Sequence, residues 1–96
     1  MSKLEKQVRD SCLSRAKKSG VQHKRMHFGH GAAAGWPDDF FYFGLRDAVW
    51  VEFKAEGKEA SPLQREVHGH MRDHGQHVYV VDSVAQFEQI LLDHFH

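Results

Sequence analysis

Cysteine is nearly absent from this sequence: Cys12 is the only one in 96 residues. That excludes a disulfide framework within the chain and any multi-cysteine zinc site. No apolar run approaches the ~20 residues a membrane-spanning helix needs. The opening Met1-Ser2-Lys3-Leu4-Glu5-Lys6 lacks the apolar core of a signal peptide, so the expected location is cytoplasmic, with no membrane partner. There are no internal repeats, no low-complexity segment and no interior linker. At this length the expectation is one domain spanning residues 1–96 with a modest core.

No excess of either charge is present overall, since 13 Lys+Arg balance 13 Asp+Glu. The balance hides an asymmetry, because residues 1–34 carry +6 and the remainder −6. A basic first third can meet phosphates, and an acidic remainder can hold cations. The same numbers also suit a first helix with an ordinary solvated face, so charge alone does not choose the partner.

Hydrophobic spacing gives the elements. Ser2 followed by Glu5 reads as a capping box, and Leu4, Val8, Cys12 and Ala16 recur at helical spacing until Gly20. Residues 21–28 suit a strand. Gly29 to Trp36 holds three glycines and three alanines and reads as a close-approach loop that lets a substrate backbone near Asp38. Asp39–Phe43 is a strand closed by a turn at Gly44-Leu45-Arg46-Asp47. Ala48–Ala55 alternates Val49, Val51 and Phe53 with Trp50, Glu52 and Lys54. Ser61-Pro62 opens a helix to about His74, His77–Asp82 is an apolar strand, and Ser83 opens a last amphipathic helix. The order α-β-β-β-α-β-α predicts an α/β fold, a small mixed β-sheet flanked by helices, with a right-handed parallel crossover between its last two strands.

Glu52 and Lys54 project from one face of a strand whose other face is apolar. A carboxylate and an ammonium there lose hydration unless a metal, a substrate or each other compensates. An edge strand with an ordinary surface pair is the alternative. Asp38 shifts the balance, because a short hairpin brings it beside Glu52. Two carboxylates at one end of a sheet can share Mg²⁺ or Mn²⁺ through oxygen, and Lys54 can then orient a water or stabilise charge at a phosphodiester.

Pro37-Asp38 followed by Glu52-Phe53-Lys54 resembles the PD-(D/E)XK nuclease motif. Gly35-Trp36-Pro37-Asp38, Val51-Glu52-Phe53-Lys54-Ala55, Ser61-Pro62-Leu63-Gln64 and Gly75-Gln76-His77-Val78-Tyr79-Val80-Val81 together resemble the VRR-NUC (virus-type replication-repair nuclease) domain, in order and over nearly the whole chain. The resemblance, to stand-alone phage-type members, implies a metal-dependent, structure-selective DNA endonuclease. It implies a homodimer resolving four-way (Holliday) junctions, within a phage or bacterial host cell. It implies Asp38 and Glu52 as metal ligands with the Phe53 carbonyl as a third, Lys54 as the catalytic lysine, and Gln64 and Glu5 as further site residues. The capping box accounts for Glu5 equally well, and a helix-surface role accounts for Gln64. With that reading, Lys3, Lys6, Arg9, Lys24 and Arg25 become DNA contacts, and Trp36 with Phe40–Phe43 an aromatic dimer interface.

The family follows its Pro-Asp with an apolar residue, whereas Asp39 stands here. Only one of the two aspartates can aim at the metal. Motif position assigns that to Asp38 and leaves Asp39 to the outer face or to holding the Gly-rich loop. Two other readings remain: a catalytically idle DNA-binding or interaction module, and a histidine-dependent zinc protein. The intact Asp38/Glu52/Lys54 set speaks against the first. Nine histidines invite the second, through His23, His27 and His30 or through His70 and His74, but no Cys/His cluster in the sequence closes a four-ligand site.

Overall fold

Val8, Leu13, Cys12 and Ala16 line one side of an otherwise polar helix, α1 (Lys3–Lys18), and pack into the core. The computed structural model describes residues 3–26, 34–44 and 47–95. The Ser2 cap, the turn residues Leu45 and Arg46, most of the Gly-rich loop, His27 and His30 therefore lie outside the described residues, as does the Lys3 side chain. α1 ends where Gly20 takes a φ of 76°, a left-handed conformation that costs glycine little, and Val21 N–H closes on Ala16 at 3.0 Å.

Four strands follow the expected order: β1 (Gln22–Arg25), β2 (Asp39–Phe43), β3 (Asp47–Phe53) and β4 (Val78–Val81). Sheet order equals chain order, with β1–β2 and β2–β3 antiparallel and β3–β4 parallel. The parallel step is made by α2 (Pro62–Asp73), and α3 (Val84–His94) closes the chain. Ser61 caps α2 through a full capping box with Gln64, and Pro62 occupies the first turn, where its missing N–H is no loss.

The sheet has two unlike faces. Phe41, Val49, Val51, Phe53 and Val81 point toward α1 and α3, where they meet Cys12, Ala16, Phe87, Ile90 and Phe95. Phe41, Phe53 and Phe87 form a ring cluster with centroids 5.0 to 6.2 Å apart. Burial pushes the Cys12 thiol up to about 12, so it packs as a small apolar group with no nucleophilic role. The opposite face carries Phe40, Trp50 and Glu52 and is covered in part by α2. Gly35 fixes that packing: its φ is 85°, and a Cβ there would lie 2.8 Å from Val67 Cγ2 and 3.1 Å from the Leu63 carbonyl. The close approach expected of this loop is thus, at Gly35, an approach to α2.

Candidate active site

Alternation along β3 sends Val51 and Phe53 into the core and Glu52 to the α2 face. Glu52 is nevertheless only 4% exposed, and its Oε1 is buried without a hydrogen-bond partner. Burial pushes its carboxyl up to about 8, and the negative charge of Asp38 adds to the rise while Lys54 opposes it; Glu5 and Asp39 add smaller repulsions. The structure therefore brings Asp38, Glu52, Lys54 and Glu5 into one electrostatic neighbourhood. The Asp39–Val51 pairing sets Asp38 one step further out, opposite Glu52.

Asp39 does not take the outer-face position expected as one alternative, and most of the Gly-rich loop of the other alternative lies outside the described residues. It is 1% exposed on the α1 side of the sheet, where Arg9 Nη2 lies 3.0 Å and His23 Nε2 2.6 Å from its Oδ1. Arg25 Nη1 is 3.7 Å away. Burial raises its carboxyl, but the hydrogen bonds from His23 and Arg9 and the charges of Arg9 and Arg25 together hold it below the usual carboxylate range. Its chemistry is to tie α1, β1 and β2 together directly behind Asp38. Arg9 is committed to that task, with its side chain 14% exposed, and does not reach outward as a phosphate contact would. Lys6 pairs with Asp10 at 2.6 Å, and Lys24 is exposed. Arg25 bridges the two aspartates, 4.0 Å from Asp38 as well.

Gln64 serves the α2 cap: its Oε1 accepts from Ser61 N–H at 2.8 Å, and its own N–H donates to Ser61 Oγ at 3.1 Å. The Ser-x-x-Gln spacing carried that signal in the sequence. His68, one turn further along α2, is a residue that sequence reasoning passed over. It is 1% exposed, and its ring approaches the Gly35 backbone without closing a well-formed hydrogen bond. Burial, with the charges of Arg72 and Lys54, lowers its basicity and keeps it neutral. Its position i+4 from Gln64 and three before the buried Met71 marked it as inward-facing.

The aromatic run is split between the faces. Phe41 is fully buried, while Trp36 and Tyr42 are more than a third exposed. Trp50 packs at a tilt against Phe40 with centroids 4.8 Å apart and meets Trp36 edge-on at 5.8 Å. His23 is engaged with Asp39, and the His70 and His74 rings meet at a tilt with centroids 4.5 Å apart along the solvent side of α2.

An unsatisfied, buried carboxylate oxygen is costly unless something occupies it. At Glu52 the neighbouring donor, Asp38, is also a carboxylate. All-oxygen donors suit a hard divalent cation, so these residues fit Mg²⁺ or Mn²⁺.

The chain has the fold of a solved VRR_NUC domain. The two superpose with a TM-score of 0.81, covering 99% of this chain and 100% of that one, at 24% sequence identity. No family model and no curated protein matches the sequence.

Proposed function

We propose that this chain is a Mg²⁺- or Mn²⁺-dependent endodeoxyribonuclease that hydrolyses phosphodiester bonds at Asp38, Glu52 and Lys54. The observation that carries the reading is the buried, unpartnered Glu52 Oε1 beside Asp38 and Lys54, on the fold of a VRR_NUC domain. Asp38 and Glu52, with the Phe53 carbonyl, would hold the cation. Bound there, it would supply charge neutralisation at the scissile phosphate and a more acidic water.

The remaining work belongs to side chains. The Lys54 ammonium orients the attacking water and stabilises charge building on the phosphoryl oxygens, a role worth about 10²–10⁴ in rate. Glu5 adds to the negative field that favours a cation over a proton at Glu52. Arg25 and Lys24, on β1 beside Asp38, meet the DNA backbone, joined by Lys3 and Lys6 from α1. Lys6 keeps its ion pair with Asp10 until a phosphate competes for it. Gln64 holds α2 in place through its cap and offers its amide N–H groups to substrate.

The reading extends to a homodimer acting on branched DNA, with two active sites cutting opposite strands of a four-way junction. Trp36 and Tyr42 provide exposed aromatic area for such a contact, with the half-buried Trp50 beside Trp36. No described helix is long and apolar enough to cross a membrane. Cleavage of labelled four-way junction, flap, duplex and single-stranded DNA with Mg²⁺ or Mn²⁺, alongside sedimentation analysis, tests the proposal. Paired symmetric nicks on the junction by a dimer support it in full. A monomer at working concentration removes the paired-cut mechanism, and binding without cleavage of any substrate leaves an idle DNA-binding module.

A further inference from the structure

The first residue of β3, the residue just ahead of β4 and the last residue of α3 meet at the end of the sheet opposite the candidate active site. They are Asp47, His77 and His94, and one ligand atom from each lies within 4.8 Å of the others. Asp47 is five residues from Glu52 along β3, about 17 Å at ordinary strand rise. We propose that these three side chains form a separate transition-metal site, with Zn²⁺ as its natural occupant.

Donor type decides the class of metal. Two imidazoles and one carboxylate suit Zn²⁺ and disfavour Mg²⁺, which seeks oxygen donors in an octahedral shell. Three protein donors leave a fourth tetrahedral position open. The His94 ring is already held in the orientation a ligand needs. Its Nδ1 faces Asp47 Oδ2 at 2.6 Å, and its Nε2 faces the Tyr79 hydroxyl at 2.5 Å. Without metal, Nδ1–H donates to Asp47 and Nε2 accepts from Tyr79. With metal, Nδ1 turns its lone pair to the cation and the ring proton resides on Nε2, donating to the Tyr79 oxygen. This outer partner fixes tautomer and ring angle, as hydrogen bonds to metal-bound histidines commonly do.

His77 completes the set. Its Nε2 is 3.7 Å from Asp47 Oδ1, its ring meets His94 at a tilt with centroids 4.6 Å apart, and half of its side chain is exposed. Donors around Zn²⁺ sit about 3.3 Å from one another, given metal–ligand distances of ~2.0–2.2 Å. The His94–Asp47 pair must open from 2.6 Å toward that separation as the ion enters, and the exposed His77 imidazole must move inward, adjustments of roughly 1 Å or less for these pairs. The bound ion would join the start of β3, the approach to β4 and the end of α3, whose sequence separation hid the cluster from any reading by spacing.

The test uses the full chain, stripped with chelator and titrated with Zn²⁺ by calorimetry and with Co²⁺ by visible absorption. A Glu52→Gln version is run in parallel to subtract binding at the candidate active site. The expected result is one Zn²⁺ per chain in both, a tetrahedral Co²⁺ spectrum, and a Tm raised by roughly 5–10 °C at saturating Zn²⁺. His77→Ala and Asp47→Asn are expected to weaken Zn²⁺ at least tenfold and abolish the Co²⁺ bands. A His70→Ala/His74→Ala double variant is expected to retain both. His77 is half exposed, so its removal leaves the fold intact, as circular dichroism can verify. Unchanged affinity in His77→Ala, loss of binding in the His70/His74 variant, or no bound ion in the parent would each overturn the proposal.

Discussion

Asp38 and Asp39 are consecutive in sequence yet lie on opposite faces of the sheet. The Asp38 side chain is 43% exposed on the Glu52 side, and that of Asp39 is 1% exposed beneath α1. Period-two alternation imposes the split, and the surroundings assign each its chemistry. Asp38 meets another carboxylate with a partnerless oxygen, while Asp39 is hydrogen-bonded by Arg9 and His23 with Arg25 nearby. One aspartate is left available to a cation and the other braces the strand that presents it.

The brace can be removed from either side. Arg9→Ala leaves a buried carboxylate short of its main partner and is expected to cost about 2–4 kcal/mol, measured by urea denaturation at pH 7. Asp39→Asn is expected to lose a similar amount at pH 7. Because the Asp39 pKa is lowered on folding, its stabilisation is present above the unfolded value near 4 and fades as pH falls through the folded one. The gap between wild type and Asp39→Asn is therefore expected to shrink below pH 4. A gap that stays constant to pH 2 would contradict this role.

Glu52 has the opposite sign. Its pKa rises on folding from 4.5 to about 8, so the stability that the neutral carboxyl retains is fully present below pH 4.5 and is lost as pH rises from there to about 8. Without divalent cations, Glu52→Gln is expected to stabilise the chain at pH 9 by on the order of 2–4 kcal/mol and to have little effect at pH 4. Cation binding must displace that proton. Calorimetric titration with Mn²⁺ at pH 7, in buffers of different ionisation enthalpy, is expected to show close to one proton released per ion bound. No proton release would mean the cation binds elsewhere.

Gly35→Ala combines a left-handed backbone with a side chain driven into Val67. The expected loss is about 2–4 kcal/mol, of which Val67→Ala in the same chain recovers the Val67 part of the steric share and leaves the crowding at Leu63 together with ~1–2 kcal/mol of backbone strain. Full recovery, or none, would show that one of the two causes is absent.

Gln64 separates capping from catalysis. Gln64→Ala is expected to lower stability by about 1 kcal/mol, with Ser61→Ala doing the same. With its amide N–H groups offered to substrate, Gln64→Ala is expected to lower kcat once the folded fraction is matched, whereas Ser61→Ala is not. An unchanged kcat in Gln64→Ala would contradict the substrate contact and leave the cap as its whole role.

Most of the fold was legible because the signals were local and redundant. β3 alternates strictly, Ser61-Pro62 and Ser83 mark helix starts, and Gly20 stops α1. The parallel β3–β4 step followed from a helix lying between two apolar runs. β1 is shorter than residues 21–28 in its described part, since pairing with β2 spans Gln22–Arg25 and then only the Met26 N–H to the Asp38 carbonyl. The candidate residues Asp38, Glu52 and Lys54 stood out as a motif, and their neighbourhood was not legible. Nothing in the order of residues says that Arg9 and His23 converge on Asp39, or that His68 lies buried against Gly35. Those contacts come from packing between elements far apart in the chain. Gln64's cap was readable from the Ser61-Pro62-Leu63-Gln64 spacing.

The central claim is that Asp38, Glu52 and Lys54 form a cation-dependent phosphodiesterase site, and cleavage of labelled DNA by wild type, Lys54→Ala and Asp38→Asn tests it most directly. The account expects Mn²⁺- or Mg²⁺-dependent cutting by wild type and at least a hundredfold loss in both variants, with DNA binding retained. Cutting that survives both substitutions would place the chemistry elsewhere.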